Sequence, residues 1–199
     1  INSSSNVINK ILNLSKKTID DSYPKLRFYE GDLRDKDFLN HIFKKYSNKF
    51  EKIEAVIHFA GLKSVFESIN YPLRYWDYNV KSTINLLNIM EKYGCYRIVF
   101  SSSATIYAPE TVSPIKEDDL IRPINPYGRT KQAIEAILDD FYFSKSQEMS
   151  IASLRYFNPI GAHNSGLLGE DPNGIPNNIF PLINKVAIGE LDFLKNKNH

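Results

Sequence analysis

Apolar residues recur along this chain with two alternating periods. Val7, Ile8, Ile11 and Leu12 follow a serine-rich opening at the spacing of one helix face, which predicts a helix over residues 4–14. Leu26-Arg27-Phe28-Tyr29 alternates and is bounded by Glu30-Gly31-Asp32, the pattern of a short strand. Helical spacing returns through Phe38, Leu39, Ile42 and Phe43 over 35–46. The run Ala55 to Ala60 is almost continuously apolar, as in a strand buried on both faces. A long helical stretch over 71–93 ends beside Gly94, a residue suited to a helix C-terminus. A strand at Arg97 to Ser101 comes next. Pro126 then opens a helix over 126–146, a position where its missing N–H does no harm. Ile151 to Tyr156 reads as a further strand, and a Gly-, Asn- and Pro-rich loop over 158–177 precedes a helix over 178–189.

Strands alternating with helices at this spacing predict an α/β protein. The expected architecture is a partial Rossmann-like, doubly wound parallel sheet with helices on both faces. In such sheets ligands bind beyond the carboxyl ends of the strands. The polar and glycine-containing residues gather there: Asp32, Ala60-Gly61-Leu62-Lys63, Ser101 to Thr105, and Phe157-Asn158-Pro159.

The chemistry concentrates in two segments. Tyr127 and Lys131 are four apart on a predicted helix, so they share a face. An ammonium beside a phenol favours the phenolate, which predicts a lowered pKa for Tyr127. A hydroxyl from the serine cluster at the end of the preceding strand can bond the same reacting oxygen. Together these groups make a proton-transfer site for a sugar or alcohol hydroxyl.

Composition narrows the class. The chain of 199 residues is 42% hydrophobic with net charge +2, enough for a real core and too little charge to imply nucleic acid or a membrane surface as partner. The lone Cys95 allows no disulfide within the chain and fits a reducing, cytoplasmic setting. Nothing suggests a metal site. No apolar run reaches the roughly 18 residues of a membrane span.

At this point the chain resembles the UDP-glucose 4-epimerase branch of the extended short-chain dehydrogenase/reductase family. The resemblance rests on Val56 to Lys63, Ser101 to Tyr107 and Pro126 to Lys131, and continues through Leu154 to His163 and Gly169 to Asn178. Tyr-x-x-x-Lys alone marks only the superfamily; the later segments are specific to the branch. The resemblance implies NAD as cofactor and a UDP-sugar as substrate. Hydride would leave sugar C4, the 4-keto sugar would turn over, and hydride would return to its other face, interconverting UDP-glucose and UDP-galactose.

It further implies Tyr127 as acid/base, Lys131 on the nicotinamide ribose and Ser103 on the reacting oxygen. Asp32 and Leu33 would lie at the adenine end, with Phe59, Ala60, Gly61, Leu62 and Lys63 along the cofactor backbone. Asn79 would contact it from the following helix, Phe157 would pack by the nicotinamide, and Asn2 and Ser3 would meet the adenosine. Lys63, Asn158 and Asn178, with Ser103 and Tyr127, would contact the UDP-sugar. The family implies a homodimer for the full-length protein.

Departures also count. The family's phosphate-binding glycine loop has no counterpart in the chain, which opens on Ile1-Asn2-Ser3. The expectation is therefore an internal piece, with 1–157 an incomplete NAD-binding domain and 158–199 the start of the substrate-binding region. Such a piece alone is expected to be inactive. Ser64, Phe66 and Ala108 replace the smaller residues usual in the family. Related dehydratases carry Asp-Glu after the active-site hydroxyl, where this chain has Ala104-Thr105. That difference favours epimerisation over dehydration, and the intact Ser103, Tyr127 and Lys131 favour it over a non-catalytic cofactor-binding role.

Overall fold

The structure, a computed structural model, describes residues 6–18, 26–48, 51–145, 148–170 and 178–194. The chain divides into two compact units, Glu30–Phe157 and a second built from Ile1–Tyr29 with Asn158–His199.

The larger unit is an α/β layer. Helix α2 (Lys36–Lys45) starts where Asp35 accepts the N–H groups of Asp37 and Phe38, both at 3.0 Å. Strand β1 (Val56–His58) leads through a loop to α3 (Val65–Asn70) and α4 (Pro72–Tyr75). A π-helical turn (Trp76–Lys81) passes into α5 (Ser82–Lys92). Gly94, at φ +63°, then lets the chain turn into β2 (Arg97–Ser103). A 3-10 turn (Ala104–Ile106) and a long loop precede α6 (Pro126–Ser144), which is followed by β3 (Ser150–Tyr156). Asn125 caps α6 by accepting the Gly128 N–H at 2.8 Å.

The three strands are parallel in the order β1-β2-β3. Being parallel, they bring His58, Ser103 and Tyr156 to one sheet edge. The core joins Leu39 and Phe43 of α2, Leu86, Leu87, Ile89 and Met90 of α5, and Ile134 and Leu138 of α6 to Ile98 and Phe100 of β2.

Two expectations change. Leu26 to Tyr29 forms no strand, and Leu26 and Phe28 stay exposed. Side-chain alternation alone does not make a strand; ladder pairing does, and among the described residues β1 pairs only with β2. The apolar run at β1 is not buried on both faces either. Its core helices lie on the side of Ile98 and Phe100, and Ile57 remains 65% exposed.

In the smaller unit, α1 (Asn6–Thr18) and α7 (Ile179–Ala187) are the helices among the described residues. Among the described residues, no helix is long and apolar enough to cross a membrane, and no group of three or more His, Cys, Asp or Glu side chains could hold a metal ion.

Candidate active site

The catalytic candidates meet where the end of β2 faces the first turns of α6. Tyr127, Lys131 and Ser103 are all buried. Gly128 allows this approach: a Cβ there would lie 2.8 Å from the Thr105 carbonyl and 2.8 Å from Pro123. Ser103 accepts the Thr105 N–H at 3.2 Å and donates to Thr105 Oγ1 at 2.9 Å, which turns the chain just past the strand.

Lys131 Nζ donates to the Ser101 carbonyl at 2.7 Å and lies 4.8 Å from the centre of the Phe100 ring and 5.8 Å from that of Tyr127. Burial without a carboxylate partner pulls its pKa down to about 8. The Tyr127 phenol moves the opposite way from the sequence expectation. Burial raises its pKa, and a hydrogen bond with Ser103 opposes that rise. The expected lowering by Lys131 is not found; desolvation is the leading cause for both groups and drives each toward its neutral form.

Behind this face lies a fully bonded polar layer. Asn79 sits in the π-helical turn. Its Oδ1 accepts the Leu62 N–H at 2.7 Å, and its Nδ2 donates to the Leu62 carbonyl at 3.1 Å and to Thr130 Oγ1 at 3.1 Å. Thr130 in turn donates to the Tyr127 carbonyl at 2.7 Å. Gly61, at φ +150°, leaves room for this amide: a Cβ there would meet Asn79 Oδ1 at 3.0 Å. Thr83 donates to the Asn79 carbonyl at 2.6 Å, so its contact with His58 Nε2 at 2.9 Å is one in which the imidazole N–H donates. His58 is neutral; burial first, and then the Lys131 charge, lower its pKa to about 4.

The other candidates are dispersed. Phe59, Ala60, Gly61 and Lys63 are exposed on the loop after β1, and Leu62 is half-buried. Phe157 is exposed after β3. Asp32 is bound by Arg34 through Nη2 at 2.7 Å and the backbone N–H at 2.8 Å. Arg34 Nη1 also donates to Asp77 at 2.6 Å, and the guanidinium lies 3.5 Å from the Tyr78 ring centre. The Leu33 side chain packs against the core, which leaves its backbone for any ligand. Phe66, on α3, is exposed.

In the smaller unit, Asn158 and Asn178 line one cavity of about 240 Å³ with Pro159, Ile160, Glu170, Ile179 and Phe180. Asn178 Nδ2 donates to Glu170 there. Asn2 and Ser3 lie outside the described residues.

Sequence reasoning did not single out His58, Thr83, Thr130, Glu135 or Arg155 as site-supporting groups. Three of them stood inside the quoted motifs, His58 in the run after Val56, Thr130 just before Lys131 and Arg155 before Tyr156, but no spacing rule reveals their partners.

The family described as GDP-mannose 4,6 dehydratase matches residues 1–198. The chain is 48% identical over 193 residues to the UDP-glucose 4-epimerase of Bacillus subtilis, covering 97% of this chain and 53% of that protein. It is 51% identical over 174 residues to the UDP-glucose 4-epimerase of Pisum sativum, covering 87% of this chain and 48% of that protein. Among solved structures, it is similar to the UDP-glucose 4-epimerase from Bifidobacterium longum in complex with NAD+ and UDP. That match has a TM-score of 0.83 and 42% identity over 96% of this chain and 53% of that one. The chain spans about half the length of the curated relatives it matches. It belongs to the GDP-mannose 4,6 dehydratase family and, within it, is similar to the UDP-glucose 4-epimerases.

Proposed function

We propose that the protein interconverts UDP-glucose and UDP-galactose, with NAD as a held cofactor. The observation that carries this is the convergence of buried Tyr127, Lys131 and Ser103 at the carboxyl edge of a parallel sheet. Its similarity to the Bacillus subtilis epimerase, and to the Bifidobacterium longum epimerase in complex with NAD+ and UDP, supports the reading.

The residues present fit a nicotinamide cofactor. Gly61 keeps the loop after β1 free of a side chain that would collide with Asn79, and that loop is exposed beyond the carboxyl end of its strand. Residues Phe59 to Lys63, with Asp32 and the Leu33 backbone, would hold the cofactor together with Phe157, Asn2 and Ser3. Asn79 would act on it through the Leu62 backbone it grips. When bound, NAD supplies the hydride acceptor and donor for sugar C4.

This chain's own residues handle the proton. Tyr127 takes it from the sugar 4-hydroxyl and later returns it. Ser103 would hydrogen-bond the same oxygen, and it opposes the burial-driven rise of the Tyr127 pKa. Lys131 holds a positive charge near the phenolate as it forms, in a dry setting where such a charge acts strongly. Asn158 and Asn178, with Lys63, would hold the nucleotide-sugar. Residues 1–157 thus supply the cofactor part and 158–199 begin the sugar-nucleotide part.

Dehydration, the activity in the family's name, needs a second acid/base for another proton. Ala104 and Thr105 follow Ser103 in the 3-10 turn and offer no carboxylate, which favours epimerisation. A homodimer is the proposed assembly of the full-length protein. A groove of about 290 Å³ between α5 and α6, lined by Ile84, Leu87, Ile137 and Phe141 together with Asn88, Glu91 and Asp140, offers a face for it. Cytoplasmic placement rests on the free, buried Cys95. Turnover of UDP-galactose by the full-length protein, and its loss in Tyr127→Phe, tests the reading.

A further inference from the structure

A second polar cluster lies further along α6 from Tyr127 and Lys131, and the proposed reaction does not use it directly. Glu135 follows Lys131 by one turn of α6 and is buried. Arg155 of β3 grips its carboxylate in a fork, with Nε donating at 3.1 Å and Nη2 at 2.8 Å. The Ser102 hydroxyl donates to the same carboxylate. The remaining arm of Arg155, Nη1, donates to the Tyr107 hydroxyl at 2.9 Å and to the Glu117 carbonyl at 2.6 Å.

The placement of these partners is specific. Ser102 immediately precedes Ser103 and is the direct β-ladder neighbour of Arg155. Tyr107 immediately follows the 3-10 turn of Ala104–Ile106. Both ends of the segment bearing the Ser103 hydroxyl are therefore tied to one ion pair, and the carboxylate of that pair belongs to the helix bearing Tyr127 and Lys131. Glu135 is buried and Arg155 half-buried, and an ion pair taken this far out of water adds little net stability over well-packed apolar groups. What a planar guanidinium adds is direction, because its donors are fixed in a fork.

We propose that Glu135 and Arg155 are positioning residues which, through Ser102 and Tyr107, hold the Ser103–Thr105 turn in register with the face of α6 that carries Tyr127. This rests on the epimerase reading above. The groups facing Tyr127 are Ser103 from the end of β2, Lys131 from its own helix and Tyr75 from α4, whose ring lies 6.4 Å away edge-on. Tyr75 donates to Glu67 at 3.0 Å, and its phenol is pushed up to about 12, mainly by burial, so it stays neutral. Among these groups, Ser103 is the one that works against the burial-driven rise of the Tyr127 pKa. Loosening the turn should weaken that effect.

The test uses the full-length protein with Glu135→Gln, Arg155→Lys and Ser102→Ala. For Glu135→Gln and Arg155→Lys, kcat is expected to fall roughly tenfold, with KM for UDP-galactose within about twofold of wild type, the pattern of lost transition-state geometry. The pH midpoint of kcat should rise, and Ser102→Ala should shift it in the same direction by less. If activity falls only in proportion to the folded fraction, with the midpoint unmoved, the proposal is overturned. Should the charged-pair variants fail to fold, Ser102→Ala decides, since it removes a single hydroxyl.

A readout without turnover separates this proposal from the one it rests on. The ultraviolet titration of Tyr127, taken as the difference between each background and the same background with Tyr127→Phe, should move upward in Glu135→Gln. Wild-type protein without turnover would sink the epimerase reading, while an unshifted Tyr127 titration would sink the positioning role.

Discussion

Lys131 Nζ donates to the Ser101 carbonyl at 2.7 Å, which anchors the helix cation on the strand that ends in Ser103. No carboxylate shares that bond, and the lysine is 5% exposed. The site therefore carries an incompletely compensated buried charge, useful to a forming phenolate and unfavourable to the fold.

That tension predicts a stability difference. Burial lowers the Lys131 pKa from 10.5 to about 8, so between those values the folded state binds fewer protons than the unfolded state and stability rises with pH. Below about 8 the full destabilisation applies. Lys131→Met should thus be more stable than wild type at pH 7, by about 3 kcal/mol if the whole shift is relieved. The margin should narrow as pH rises from 8 toward 10.5. Urea unfolding of both proteins across that range checks it, and a margin independent of pH would contradict it.

Gly128 predicts a packing effect. A methyl group there would press on the Thr105 carbonyl and on Pro123, both at 2.8 Å. Backbone does not yield as a flexible side chain does, so Gly128→Ala should destabilise the protein by about 1–3 kcal/mol. It should also push Tyr127 from Ser103, lowering kcat more than the stability loss explains. Thermal unfolding together with steady-state kinetics separates the two effects.

Asn178 predicts a binding effect. Its amide donates to Glu170 at the edge of a cavity that also includes Asn158. Asn178→Ala should raise KM for the UDP-sugar more than it lowers kcat, because a contact kept in ground and transition states is uniform binding. A kcat effect with unchanged KM would assign it a different role.

Much of this site was legible along the chain because its signals are local. Pro126 opening α6 and Gly94 closing α5 are residues whose chemistry acts within one turn. The Tyr127–Lys131 spacing is likewise fixed by helix geometry. What was not legible depends on partners distant in sequence. Leu26 to Tyr29 has the pattern of a strand, but a strand exists only through its neighbours. The π-helical turn at Trp76–Lys81 shifts the helix's hydrogen bonding without a residue signature, and it aims Asn79 at Leu62. Glu135 looks like an ordinary helix-surface carboxylate until Arg155 meets it from β3. The direction of the Tyr127 pKa shift was missed for the same reason: spacing shows Lys131 nearby, whereas burial is a property of the assembled fold.

The central claim is that Tyr127 moves the proton in a C4 epimerisation. The most direct measurement is conversion of UDP-galactose to UDP-glucose by the full-length protein with NAD, run beside Tyr127→Phe. Wild type should turn over, and the phenylalanine variant, which keeps the ring but loses the hydroxyl, should fall at least about 100-fold in kcat while still binding NAD. Turnover at the wild-type rate in Tyr127→Phe would contradict the account.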